Sequence, residues 1–116
     1  MLLDFNSMDE TQIQGMNGGV GFLFAKMYAD DNGRIIFSRL EPGASIGDHL
    51  QRGSNDINYI LSGKGIAICD GNEEQLVPGV CHVCPSGKEH SIINTGEEDL
   101  VMFTVVQRLS GGTDEH

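Results

Sequence analysis

Long apolar runs are missing from this sequence: nothing approaches the roughly 18 to 20 unbroken apolar residues that a membrane-spanning helix needs. Basic residues are scarce as well, with seven Lys and Arg against 17 Asp and Glu and a formal charge of −10. That balance argues against nucleic acid, whose binding rests on cationic side chains neutralising phosphates. It argues equally against docking on an anionic membrane surface; solubility is the simplest meaning of the acidity. The first residues, MLLDFNSMDE, lack a basic segment and carry acids early, so they do not read as a secretory signal and a cytoplasmic location is expected. There are three cysteines, an odd number that fits a reducing compartment better than a disulfide framework. Helical periodicity is absent over any useful length, and no fused DNA-binding helices suggest a regulator.

What the chain does have is glycine and short strands. Its 116 residues give room for one domain and one core, and 39% apolar content makes it globular. Residues 1–15 are polar and aperiodic, predicting a loose arm or an edge strand. From Val20 the pattern turns β: an apolar run to Tyr28, the pair Asn32-Gly33, then Arg34–Leu40, which is a hairpin signal. Further runs follow at Asp56–Leu61, Gly65–Cys69, Glu74–Leu76, Val80–Cys84, Ser91–Asn94 and Leu100–Gln107, separated by turn clusters such as Asp70-Gly71-Asn72 and Pro85-Ser86-Gly87. Short strands at near-regular spacing predict an all-β sandwich or barrel, and 16 glycines suit its tight corners. The expected domain is the whole of 1–116, with its core over about 18–108 and a tail at 110–116 without order. Phe22, Phe24 and Phe37 are expected in the core.

Several strands are apolar on both alternations. Asp56, Asn58 and Ile60 share one face while Ile57, Tyr59 and Leu61 share the other, so a second sheet or a partner subunit should cover the outer one. Cys81 and Cys84 form a CxxC, but three residues apart on a strand their sulfurs point to opposite faces. With no second CxxC and no following helix, packed strand cysteines are expected rather than a zinc or redox site.

Two segments carry a family resemblance. Gly79, Pro85, Gly87, His90 and Asn94 stand at the spacing of the second sequence motif of the cupins. Gly43, His49, Asp56 and Gly63 follow the first, and the two together span residues 43–94. The sequence therefore resembles a small single-domain cupin. That resemblance implies a double-stranded β-helix, or jelly-roll barrel, a homodimer, and a pocket in the barrel mouth. Carried over by position, the metal-holding residues are His49, Gln51, Asp56 and His90. Gln51 stands where a second histidine is usual and Asp56 where glutamate is usual, and each departure weakens the case for a tightly held metal.

The residues themselves fit that set. His49 and Gln51, two apart on a strand, project from one face. The turn Arg52-Gly-Ser-Asn55 lets Asp56 open the next strand toward the same interior, and His90 shares a face with Ile92 and Asn94. Two imidazoles, a carboxylate and an amide oxygen suit Fe(II), Mn(II), Ni(II) or Zn(II). Asp56 reaches about 1.5 Å less than glutamate would, so binding through a water is an option. Asn58, polar on the inward face, either contacts substrate or satisfies a buried partner. His82 lies in no motif position and is expected to be a hydrogen-bonded core or surface histidine; His116 belongs to the tail. Asn94 is expected to bond its own loop. Two functions stay open at this point. One is a metal-dependent enzyme with dioxygenase, isomerase or lyase chemistry on a small molecule. The other is a non-catalytic module that binds a small polar ligand in a degenerate metal site.

Overall fold

Period-two alternation between glycine-marked corners builds ten strands in the computed structural model, which describes residues 1–109. They are β1 (Thr11–Gln14), β2 (Phe22–Asp30), β3 (Gly33–Leu40), β4 (Ser45–Leu50), β5 (Ser54–Ser62), β6 (Gly65–Cys69), β7 (Asn72–Leu76), β8 (Cys81–Cys84), β9 (Glu89–Asn94) and β10 (Leu100–Arg108). The tail 110–116, with His116, lies outside the described residues. Six strands form one sheet in the order β1-β2-β3-β10-β5-β8, and four form another in the order β4-β9-β6-β7. Every pairing is antiparallel. Neighbours that are distant in sequence, such as β3 with β10 and β4 with β9, make this a jelly roll rather than a meander. Residues 11–14 take the edge-strand option, pairing with β2. No helix among the described residues is long and apolar enough to cross a membrane.

The inner face of the larger sheet changes character along its length, and this places the site. Ladder register puts Met102 beside Ser38 and Ile60, Thr104 beside Ile36 and Asn58, Val106 beside Arg34 and Asp56, and Arg108 beside Ser54. At one end Leu40, Ile60, Leu100 and Met102 are closed to solvent and join Ala67, Leu76 and Ile92 of the facing sheet in the apolar core. Two rungs further on, the row turns polar, and it ends on exposed arginines. The barrel is thus packed at one end and open to polar chemistry at the other.

The aromatic expectation is corrected. Leu23 and Ala25 face the core, so alternation turns Phe22 and Phe24 outward, where both are half-buried. Phe37 also faces out, with Phe103 beside it in the ladder. The N-terminal arm covers these rings: Phe5, on a 3-10 turn at Phe5–Ser7, lies 6.4 Å from the Phe37 ring and 6.0 Å from that of Phe103. The Arg39 guanidinium stacks 4.0 Å over Phe24 while Glu10 takes two of its hydrogen bonds. Part of the outer apolar face is therefore covered by the chain's own arm. Cys81 is exposed and Cys84 buried, on opposite faces as strand geometry requires.

Candidate metal centre

A bulge in β4 aims the first histidine. Ile46 pairs with Ile92 and His49 with His90, so two residues of β4 oppose the single residue Ser91 of β9. Without the extra residue, alternation from the core-packed Ile46 would turn Asp48 inward and His49 out; the bulge reverses that phase. Glycine is required at position 47 because a side chain there would collide with the Asn17 carbonyl of the 3-10 turn Met16–Gly18.

The corner carrying Gln51 and the corner before His90 are locked to each other. The Gln51 amide donates to the Lys88 carbonyl at 2.9 Å, and the Gly87 amide donates back to the Gln51 carbonyl at 2.7 Å. The Gly53 amide donates to Ser86 Oγ, and the Ser86 amide to Asn55 Oδ1. Gly87 has open space around it but a φ of +94°, which disfavours any side chain there. Two turns far apart in sequence thus form one rigid support beneath His49, Asp56 and His90.

Those three residues converge, with one ligating atom from each inside a 4.8 Å span. His90 Nε2 lies 3.1 Å from His49 Nε2 and 3.2 Å from Asp56 Oδ2. Ligands about 2.1 Å from one metal at right angles stand about 3 Å apart, which matches both separations. The hydrogen bonds around the rings explain which atoms are presented. His49 Nδ1 is 2.9 Å from the Gly47 carbonyl, so it carries the proton and leaves Nε2 with a lone pair. Asn17 Nδ2 also lies 3.3 Å from this nitrogen; the shorter contact to the Gly47 carbonyl, which can only accept, decides the tautomer. His82 Nδ1 lies 2.7 Å from Glu74 Oε1 and donates to it; His82 Nε2 then accepts from His90 Nδ1 at 2.9 Å. His90 Nε2 is therefore left with its lone pair facing the site. Two lone pairs and a carboxylate repel one another unless a cation lies among them. Asp56 Oδ1 is buried without a hydrogen-bond partner among the described residues, an expensive state for a carboxylate oxygen. The donor set fits a divalent metal of the kind that takes imidazole and carboxylate.

Gln51 is buried and lines the same cavity; its Nε2 donates to Ser54 Oγ at 2.7 Å, which leaves the amide oxygen as the atom it can offer a metal. Asn58 lines the cavity too, with Oδ1 accepting from Thr104 Oγ1 at 2.7 Å and Nδ2 donating to the His82 carbonyl at 3.4 Å. Burial first, and Cys69 next, push the Cys84 thiol up to about 12, so beside Asp56 it stays protonated and offers no thiolate at neutral pH. Asn94 is buried and bonds its own loop, donating to the Glu98 carbonyl and accepting from the Gly96 amide, as expected.

Sequence reasoning missed two groups. His82 is a bonded core histidine as expected, but its partner is His90; the signal was its shared face with Cys84, one strand away from the site. The other group is cationic. Arg34, Arg52 and Arg108 line the cavity of about 580 Å³ that holds the histidines, and inward alternation from Ile36 and Val106 would have marked two of them. If the donor set takes a divalent ion, Mn(II) at a hundred times its dissociation constant stabilises the protein by about 2.7 kcal/mol. Thermal unfolding should show that increment in the wild type, and Asp56→Asn should lose most of it while its metal-free melting curve stays cooperative. Equal metal-induced shifts in both proteins would place the ion elsewhere.

Comparison with known proteins agrees with the geometry. The sequence pattern of the cupin domain matches residues 36–106. An oxalate-binding protein of Thermotoga maritima is 32% identical over 112 residues, covering 91% of this chain and 93% of its own length. A crystal structure described as that of a predicted oxalate decarboxylase from Thermotoga maritima superposes with a TM-score of 0.88 at 30% identity, covering 94% of this chain and all of the other. KdgF from Halomonas sp. shares the fold, with a TM-score of 0.77 at 17% identity and 96% of each chain covered. With its jelly-roll barrel, its two motif histidines meeting at one point and the domain pattern matched over most of its length, this chain belongs to the cupin family.

Proposed function

We propose that this protein binds a small dicarboxylate, of which oxalate is the simplest, at one divalent metal held by His49, Asp56 and His90 with the Gln51 amide oxygen as a fourth ligand. The observation that carries this is the placement of charge. The chain has seven basic residues against 17 acidic ones, yet three of the seven, Arg34, Arg52 and Arg108, line the cavity that holds the ligand cluster. A local cationic rim draws small anions to the cavity, while the net charge of −10 works against nucleic acid and anionic membranes. The name of the Thermotoga maritima relative points to the same ligand class.

When bound, Fe(II), Mn(II), Ni(II) or Zn(II) supplies a positive anchor and Lewis acidity for carboxylate oxygens. The arginines neutralise the outer carboxylate, and a guanidinium can meet it with two parallel hydrogen bonds. Asn58 keeps one amide proton beyond its bond to the His82 carbonyl and is the proposed contact on the cavity floor. Ile36, Val106 and Met102 exclude water from the inner wall. Turnover is the second reading, favoured by the description of the similar crystal structure as a predicted oxalate decarboxylase. Dioxygenase and isomerase chemistry have no residue to favour them.

We also propose a homodimer. Tyr59, Leu61 and Val83 are each more than 40% exposed on the outer face of β5 and the edge strand β8, an adjacent apolar patch the N-terminal arm does not cover. The three free cysteines support a cytoplasmic location.

Calorimetry on Mn(II)-loaded protein should show oxalate binding, with Arg34→Ala and Arg52→Ala each weakening it by about tenfold, the cost of one charge-assisted hydrogen bond. Product analysis of the same samples separates the two readings: intact oxalate supports a binding module, and release of formate and carbon dioxide supports a decarboxylase. No binding of oxalate or malonate by loaded protein would overturn the dicarboxylate proposal. Sedimentation equilibrium should give twice 12.5 kDa, returning to one copy in Tyr59→Glu with Leu61→Glu; a wild-type monomer would refute the dimer.

A further inference from the structure

The buried His82 is not explained by packing alone. It is 2% exposed, carries no motif position, and has both ring nitrogens committed: Nδ1 to Glu74 at 2.7 Å and Nε2 to His90 Nδ1 at 2.9 Å. The three residues come from three strands on both sheets. Glu74 lies on β7, at the edge of the four-stranded sheet; His82 lies on β8, at the edge of the six-stranded one; His90 returns on β9. The chain of bonds therefore runs from a carboxylate 44% exposed at the surface, across the seam between sheet edges, to the atom opposite the ligating nitrogen of His90.

A histidine can present Nε2 to a metal only if its proton resides on Nδ1. Most ligating histidines secure this with a carbonyl or carboxylate, as His49 does with Gly47. His82 is ambiguous by itself, because either of its nitrogens can donate or accept. Glu74 removes the ambiguity: an acceptor-only carboxylate accepts a hydrogen bond from Nδ1–H, which keeps that proton on Nδ1, leaves Nε2 as the acceptor and holds the His90 proton on Nδ1. The ring planes of His82 and His90 are 30° apart with centroids 5.2 Å apart, so the two rings meet edge to edge and close to one plane, as a bond between ring nitrogens requires.

We infer that Glu74 and His82 are positioning residues for the metal centre: through the bond to His90 Nδ1 they fix the tautomer of that ligand and increase its basicity. The inference rests on the proposed metal site, but half of its test does not need metal. A role confined to stapling the sheets would also lower stability when His82 is removed, yet it would not set the His90 tautomer.

The test pairs His82→Leu with His82→Gln, whose amide oxygen can still accept from His90, and adds Glu74→Ala at the exposed end, where folding is least at risk. Two quantities are read: Zn(II) affinity by competition with a chromogenic chelator, and the His90 tautomer by imidazole nitrogen NMR on metal-free protein. Wild type should show a single His90 tautomer with Nδ1 protonated. His82→Leu should bind Zn(II) about 10- to 100-fold more weakly, with His82→Gln recovering most of the loss. Glu74→Ala should weaken binding by about tenfold and leave His90 split between two tautomers. Affinity within twofold of wild type and an unchanged tautomer in Glu74→Ala would overturn the inference, even if His82→Leu fails to fold. Absence of Zn(II) uptake in the wild type would refute the metal site instead, and the tautomer comparison would still decide the role of Glu74 and His82.

Discussion

Three electron-rich atoms, two unprotonated imidazole nitrogens and a carboxylate oxygen, are held within 4.8 Å of one another in the barrel, and the surrounding structure is arranged to keep them there. Left to themselves such atoms would separate or take up protons. The β4 bulge prevents His49 from turning out, and the reciprocal bonds between the Gln51 and Lys88 corners keep the strands that carry Asp56 and His90 from drifting apart. An unpartnered buried oxygen on Asp56 shows that the fold tolerates an unfavourable arrangement at this point. A buried acceptor without a donor is costly in a packed interior, and a bound cation would offset that cost.

The same organisation gives an acidic protein a locally cationic cavity mouth. Along the inner face of the six-stranded sheet the side chains pass from the apolar plug around Ile60 and Leu100, through the hydroxyl and amide of Thr104 and Asn58, to Asp56, and then to the arginines. Each rung lies two residues beyond the last, so one period-two pattern places the apolar floor, Asp56 and the arginine rim. The acids are spread over the whole chain, whereas three of the seven cations line the cavity. The sign of the local field at the mouth is therefore opposite to that of the chain as a whole.

Much of the fold was legible because turn residues and alternation are local properties. Asn32-Gly33 marked the β2–β3 hairpin, and the inward row Asp56, Asn58, Ile60 followed from parity alone. His49 and His90 were legible only through paired motif spacing, since the bulge that brings them together has no local signature beyond Gly47. The aromatic placement failed because size suggests a core position while register decides it: Phe22 and Phe24 lost the interior to Leu23 and Ala25. His82 and Glu74 were hidden for a different reason. Their importance depends on β7 and β8 meeting at the seam between two sheets, and no pattern within either strand encodes that meeting.

The central claim is that His49, Asp56 and His90 hold one divalent metal, and anomalous scattering tests it most directly. Crystals of Mn(II)-loaded protein, measured on both sides of the manganese absorption edge, should give one strong peak about 2.0–2.3 Å from His49 Nε2, His90 Nε2 and an Asp56 carboxylate oxygen. A peak bonded to other residues, or none at full loading, would contradict the account.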